Sequence, residues 1–146
     1  MSAEDFLYKN WAGEIPVNIE KLAQRAGLEV DYGSFRPNVL GITHRSRVVI
    51  NRAIPLSEQR FLIAHAIGHH LDGSWDKKSH EEVTHTLNSN TVFKEKTANA
   101  IAIGLLVPKQ SLKYVMKEKN LRSCDEISKF FSVNSFVALN ALKAAR

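Results

Sequence analysis

The chain has 146 residues, of which 44% are hydrophobic and 24% are charged, with seven glycines and four prolines. This balance is typical of one globular domain with a single sizeable core, and it excludes a collagen-like or linker-like chain. No stretch approaches the roughly 18 apolar residues of a membrane span, and the N-terminal sequence does not resemble a secretory signal. The single cysteine, Cys124, allows no internal disulfide. We therefore expect a soluble, cytoplasmic protein that does not bind a membrane.

The net charge of +5 is concentrated in the C-terminal quarter of the chain. Residues 1–108 contain twelve basic and twelve acidic residues, whereas residues 109–146 contain eight basic and three acidic residues. Such a basic segment can bind nucleic acid or an acidic partner, or it can be a solvated helix surface that favours lysine. We divide the chain into a core, residues 1–108, and a basic C-terminal helical segment, residues 109–146, that packs on the core.

Hydrophobic periodicity and turn-forming residues divide the core into elements. In chain order these are a short helix at 18–26, a half-buried strand at 28–32, two strands around a tight turn within 39–50, a long helix at 55–71, a polar loop at 72–90 and a second long helix at 92–106. The first helix begins after a good N-cap residue, Asn18. The second long helix stops before Pro108, because proline disfavours helical conformation in the preceding residue. The polar loop is a candidate lid.

The basic segment predicts further helices, with breaks near residues 120–123 and near Ser132. Residues 124–143 have the pattern of a helix, a short turn and a helix, similar to a helix-turn-helix motif. Three residues of the last helix could read DNA bases from its exposed face: Asn134, Asn140 and Lys143. Because three candidates are few, we expect a structural or partner-docking unit rather than direct DNA binding. The predicted fold class is α+β, with a small β-sheet and a helical C-terminal segment.

Two histidines of the first long helix, His65 and His69, lie four residues apart. This spacing places both imidazoles on one face of the helix, where two nitrogens can bind one Zn²⁺ at roughly 2.0–2.1 Å each. Such a pair can also arise by chance on a helix surface. The neighbouring residues are apolar, however, and they predict a buried helix. Buried histidines are costly unless they are hydrogen-bonded or bind a metal.

The second long helix offers a third ligand. Glu95 and Asn99 share a face of this helix, and the Glu95 carboxylate could complete a His₂Glu set with a fourth position open to water. Asn99, one turn further, could hydrogen-bond a ligand histidine as an outer partner. Alone, Glu95 could equally be a surface residue that the helix dipole favours.

Two sequence blocks contain these residues: Gln59-Arg60-Phe61-x-x-Ala64-His65-x-x-Gly68-His69 and Glu95-x-x-Ala98-Asn99-x-x-Ala102-x-x-Leu105-Leu106-x-Pro108. Together they resemble the ImmA/IrrE family of zinc metallopeptidases, and the similarity covers nearly the whole chain. The resemblance implies a reduced gluzincin-like peptidase core that binds one Zn²⁺ through His65, His69 and Glu95. It also implies a substrate class, because family members cut helix-turn-helix repressors of phages, mobile elements or stress regulons.

The sequence departs from the family motif at one position. The motif is H-E-x-x-H, in which the glutamate is the general base, and Ala66 stands in its place here. General acid–base assistance is worth roughly 10²–10⁴-fold, so we expect this chain to be nearly or wholly inactive. Ala66 is either a Glu→Ala substitution introduced into an active peptidase or the natural residue of a pseudoenzyme.

Two functions of different classes follow from this reasoning. The first is a cytoplasmic zinc endopeptidase that cleaves a helix-turn-helix repressor and is inactivated by Ala66. The second is a non-catalytic zinc-containing pseudoprotease that sequesters a transcriptional regulator. For the first function we expect a strand within residues 39–50 to form the sheet edge that pairs with an extended substrate.

Overall fold

Seven helices and four strands make up the part of the chain that the computed structural model describes, residues 1–73, 83–86 and 96–145. In chain order they are α1 (Ala3–Asn10), α2 (Ile19–Arg25), β1 (Glu29–Gly33), β2 (Val39–His44), β3 (Arg47–Asn51), α3 (Leu56–Asp72), β4 (Val83–Thr86), α4 (Lys96–Leu106), α5 (Lys109–Glu118), α6 (Cys124–Phe131) and α7 (Ser135–Ala144). The predicted α+β class is confirmed. Within these residues, no helix is both long enough and apolar enough to cross a bilayer.

The four strands form one mixed sheet in the order β1-β3-β2-β4. Strands β2 and β3 form the predicted antiparallel hairpin, with Arg45 in the left-handed region at φ 57° in the turn, while β1 runs parallel to β3. The expectation that residues 39–50 provide the sheet edge is wrong, because β2 and β3 each pair with a strand on both sides. Among the described strands, the two edges are β1 and β4.

Strand β4 corrects a second expectation, since it lies inside the segment that the sequence predicts as a loop, residues 72–90. The four residues of β4 are too few to give a periodic signal, and the strand forms because β2 provides an antiparallel partner. The rest of that segment, residues 74–82 and 87–90, lies outside the described residues, and so does the question of whether it acts as a lid. The start of the helix predicted at 92–106 is also outside them, up to residue 95.

Helix α1 was not predicted from the sequence. It begins after Ser2, whose side chain accepts a hydrogen bond from the backbone of Asp5, and it buries only Phe6 and Leu7. Two adjacent apolar residues do not produce a helical period, so the signal was missing. The helix packs against α4.

Helix α3 is the central element, and residues 61–68 are all buried within it. The sheet covers one side of α3, and α4 covers another. The closest approach to α4 is at Gly68, where a Cβ atom would lie 2.3 Å from the carbonyl oxygen of Ala98. Only a glycine allows the two helices to cross at this distance, and the crossing determines which residues of α4 meet the histidines of α3.

The basic C-terminal segment contacts α3 directly. The half-buried guanidinium of Arg60 donates hydrogen bonds to the carbonyl oxygens of Val17 at 2.7 Å and Ser132 at 2.9 Å. Burial lowers the pKa of this guanidinium, an effect that the nearby Glu20 carboxylate opposes. The ring of Phe61 packs edge-on against that of Phe136 of α7, with 5.7 Å between ring centroids. Apolar side chains of residues 109–146 therefore belong to the same hydrophobic cluster as those of the core.

Replacing Gly68 by alanine should lower the free energy of unfolding by about 1–3 kcal/mol, because the new methyl group would force α3 and α4 apart. Urea unfolding followed by circular dichroism measures this change. The matched control is Gly104→Ala in α4, where a Cβ meets only the Cβ of Ala3 at 3.0 Å. The higher helix propensity of alanine should offset that crowding and leave stability near that of the parent chain. Equal midpoints for the Gly68 variant and the parent would contradict the tight crossing.

Candidate metal centre

His65 is the most buried residue of the candidate site, with 1% of its surface exposed. Its Nδ1–H donates a hydrogen bond to Oδ1 of Asn99, across a distance of 2.8 Å. Asn99 lies in the first turns of α4 and is itself 4% exposed. Because the proton is held on Nδ1, the lone pair of Nε2 is available, which is the tautomer that a metal-binding histidine needs.

His69 lies one helical turn after His65 and is half-buried. The Nε2 atoms of the two histidines are 3.1 Å apart, and their rings meet edge to face with 4.6 Å between centroids. Two nitrogens bound to one tetrahedral zinc at 2.0–2.1 Å lie about 3.3 Å from each other. The pair therefore fits a zinc ion with little adjustment. With Nδ1 of His65 protonated, His69 donates the hydrogen bond between the Nε2 atoms, and a metal would replace that single proton.

The third predicted ligand, Glu95, lies outside the described residues, directly before the first residue of α4. Across residues 1–73, 83–86 and 96–145, no group of three or more His, Cys, Asp or Glu side chains could hold a metal ion. The structure thus brings together His65, His69 and Asn99, as the spacing of the two sequence blocks indicates, and a complete ligand set requires a residue beyond those described.

Ala66, at the position of the motif glutamate, is 1% exposed and packs within the hydrophobic core. It lies next to His65 in the helix, so its side chain points about 100° away around the helix axis. A methyl group has no atom that can accept a proton. The described geometry therefore has no base at the motif position.

Sequence reasoning missed two residues that complete this polar cluster, Thr43 of β2 and His85 of β4. Thr43 Oγ1 and His85 Nε2 share a hydrogen bond at 3.1 Å, and the His85 ring lies 5.9 Å from the His65 ring between centroids. The sequence of β4 is too short to signal this placement, and His85 is buried because β4 pairs with β2. Five polar side chains are buried in the described part of the chain, and four of them form this cluster: Thr43, His65, His85 and Asn99.

A comparison of the sequence with protein families agrees with this arrangement. The IrrE N-terminal-like domain of the M78 peptidases matches residues 14–143, a range that contains the sheet, both helices of the site and nearly all of the basic C-terminal segment. No curated protein is significantly similar to the sequence. The match covers far more than half of the chain, and the chain therefore belongs to the IrrE N-terminal-like, or ImmA/IrrE, family of M78 peptidases.

Proposed function

We propose that this chain is a zinc metalloendopeptidase of the ImmA/IrrE type, built to cleave a helix-turn-helix transcriptional repressor and inactivated by Ala66. The observation that carries the proposal is the 3.1 Å approach of the His65 and His69 Nε2 atoms. Asn99 supports it, because its hydrogen bond selects the tautomer of His65 that binds a metal. The membership of a peptidase family supports the reaction class.

His65, His69 and Glu95 are the residues that would hold the zinc ion. When bound, zinc acts as a Lewis acid toward a peptide carbonyl and toward the attacking water. Asn99 keeps the His65 ring in place by holding its Nδ1 proton, so the Nε2 lone pair faces the metal position. A glutamate at position 66 would accept a proton from the water and pass it to the leaving amine. Ala66 can do neither.

The outer edge of β4, which is an edge of the sheet among the described strands, is the part that could bind the substrate. An extended segment can add to an exposed strand through backbone hydrogen bonds, and β4 is the edge strand on the same side as His65. A repressor would have to present an extended loop or linker for this pairing. The repressor class, and its origin in a phage or mobile element, rest on the activities of the family.

A second function, a pseudoprotease that binds and sequesters a transcriptional regulator, is favoured by position 66 itself. The alanine there is buried among apolar side chains, as an ordinary core residue is. In such a protein the zinc ion would stiffen the core, and the outer edge of β4 would hold the regulator without cutting it. Both functions require the metal and a protein partner, and they differ in whether a glutamate at position 66 creates activity.

The proposed centre should bind about one zinc ion per chain. We expect His65→Ala, His69→Ala and Glu95→Ala each to reduce zinc affinity severely, because each removes one ligand. Zinc can be measured by atomic emission on dialysed protein, with circular dichroism to verify folding. The control is His70→Ala, which removes an exposed histidine of the same helix. Equal zinc content in the parent and the three ligand variants would refute the assignment.

Restoring the carboxylate with Ala66→Glu should create peptidase activity. The expected rate exceeds that of the parent chain by about 10²–10⁴-fold, because only proton transfer is missing. Purified repressors encoded by genes next to this chain are incubated with each variant and zinc, and fragments are identified by mass spectrometry. We expect one or two cut bonds, no cutting after chelation, and a stable uncut complex with the Ala66 chain.

The matched control is Ala66→Gln, which has nearly the same size as the glutamate but cannot accept the proton. It should bind the repressor and leave it uncut. Efficient cutting by the Ala66 chain would mean that the base lies elsewhere. If Ala66→Glu binds zinc and repressor yet never cuts, the pseudoprotease is the better description.

A further inference from the structure

Thr43 and His85 form a buried pair that no step of the proposed reaction uses. Thr43 is 4% exposed and His85 is 6% exposed, and their side chains share a 3.1 Å hydrogen bond between neighbouring strands. A buried imidazole and hydroxyl are costly to desolvate, and packing alone could be achieved by apolar side chains. Their location next to a candidate ligand suggests a more specific role.

The ring of His65 is restrained from three directions. Asn99 of α4 binds its Nδ1 atom, and Phe61, one turn earlier in α3, lies 6.0 Å away between ring centroids. His85 of β4 meets it at an interplanar angle of 80° and 5.9 Å between centroids. This is the edge-to-face arrangement that aromatic rings favour, within their usual range of about 4.5–7 Å. The contact from the sheet side is therefore made by His85.

The rings of His65 and His85 can meet because α3 lies close to the sheet. Gly41 of β2 is the register partner of His85, and a Cβ at Gly41 would lie 2.7 Å from Cδ2 of Leu62. The absence of a side chain there lets α3 lie directly on β2. His65 follows Leu62 by one turn, so its ring comes to rest beside the inner face of β4.

We propose that His85, oriented by Thr43, is a positioning residue of the metal centre that holds the His65 imidazole in its metal-binding orientation from the sheet side. His85 is assigned this role, and not that of a ligand, because its Nε2 atom is already hydrogen-bonded to Oγ1 of Thr43. The inference rests on the proposed zinc site. It extends that site to β4, the strand proposed to pair with the substrate.

His85 can affect zinc affinity because a histidine side chain loses rotational freedom when it binds a metal. A ring that neighbouring side chains already hold loses less rotational freedom when it binds a metal. The loss of one edge-to-face ring contact is expected to weaken metal binding roughly 2–10-fold. Thr43 acts one step further out, since it fixes the His85 ring through its hydroxyl. A valine at position 43 keeps the shape of threonine and removes that hydrogen bond.

The test measures zinc affinity of the folded chain by competition with a chelating dye, well below the unfolding temperature. Thr43→Val and His85→Ala should weaken zinc binding by roughly 2–10-fold, whereas Thr43→Ser, which keeps the hydroxyl, should bind zinc as the parent does. The absorption bands of bound Co²⁺ should change in the first two variants and not in the third. The control is Thr84→Val, at the exposed neighbouring position of β4.

The outcomes separate this inference from the proposed function. If Thr43→Val and His85→Ala are less stable but bind zinc as the parent does, the pair has only a packing role and the inference is overturned. A parent chain that binds no zinc overturns the metal centre, and the positioning role with it. If His85→Ala fails to fold, the comparison of Thr43→Val with Thr43→Ser still decides the question.

Discussion

The crossing of α3 and α4 at Gly68 is the constraint on which the candidate site depends. At this point the backbone of Ala98 occupies the volume of a missing side chain, at 2.3 Å from where a Cβ would be. The next residue, Asn99, is thereby brought within 2.8 Å of His65. A crossing even one ångström wider would break that hydrogen bond, because such bonds weaken steeply beyond about 3.2 Å. The buried His65 would then lose the hydrogen bond that holds its Nδ1 proton.

The parts of the site that follow from local geometry could be predicted from the sequence. His65 and His69 meet because residues four apart share one face of a helix, and this holds whatever surrounds the helix. The contact of Asn99 with His65 is harder to predict, because the two residues lie in different helices, α4 and α3. The two blocks of small and polar residues nevertheless indicated that α3 and α4 pack together. In both cases the prediction rests on residues four apart in the sequence, which share one face of a helix.

The parts that depend on strand pairing could not be predicted. A strand as short as β4 has little intrinsic preference for its conformation, and it forms where β2 offers hydrogen bonds. Once β4 was read as a loop, the sheet edge was assigned to residues 39–50 and His85 was not recognised as a buried residue. These errors have one cause, because pairing between residues about forty positions apart leaves no periodic signal within either segment.

The cluster around His65 also explains why the loss of a carboxylate at position 66 does not require the loss of the metal centre. Asn99, His85 and Phe61 are the described neighbours that orient His65, and all of these contacts form in a chain with alanine at position 66. Proton transfer and ligand orientation therefore depend on different side chains. A site with this division can lose its reaction and keep the geometry that binds a metal, which both proposed functions require of this chain.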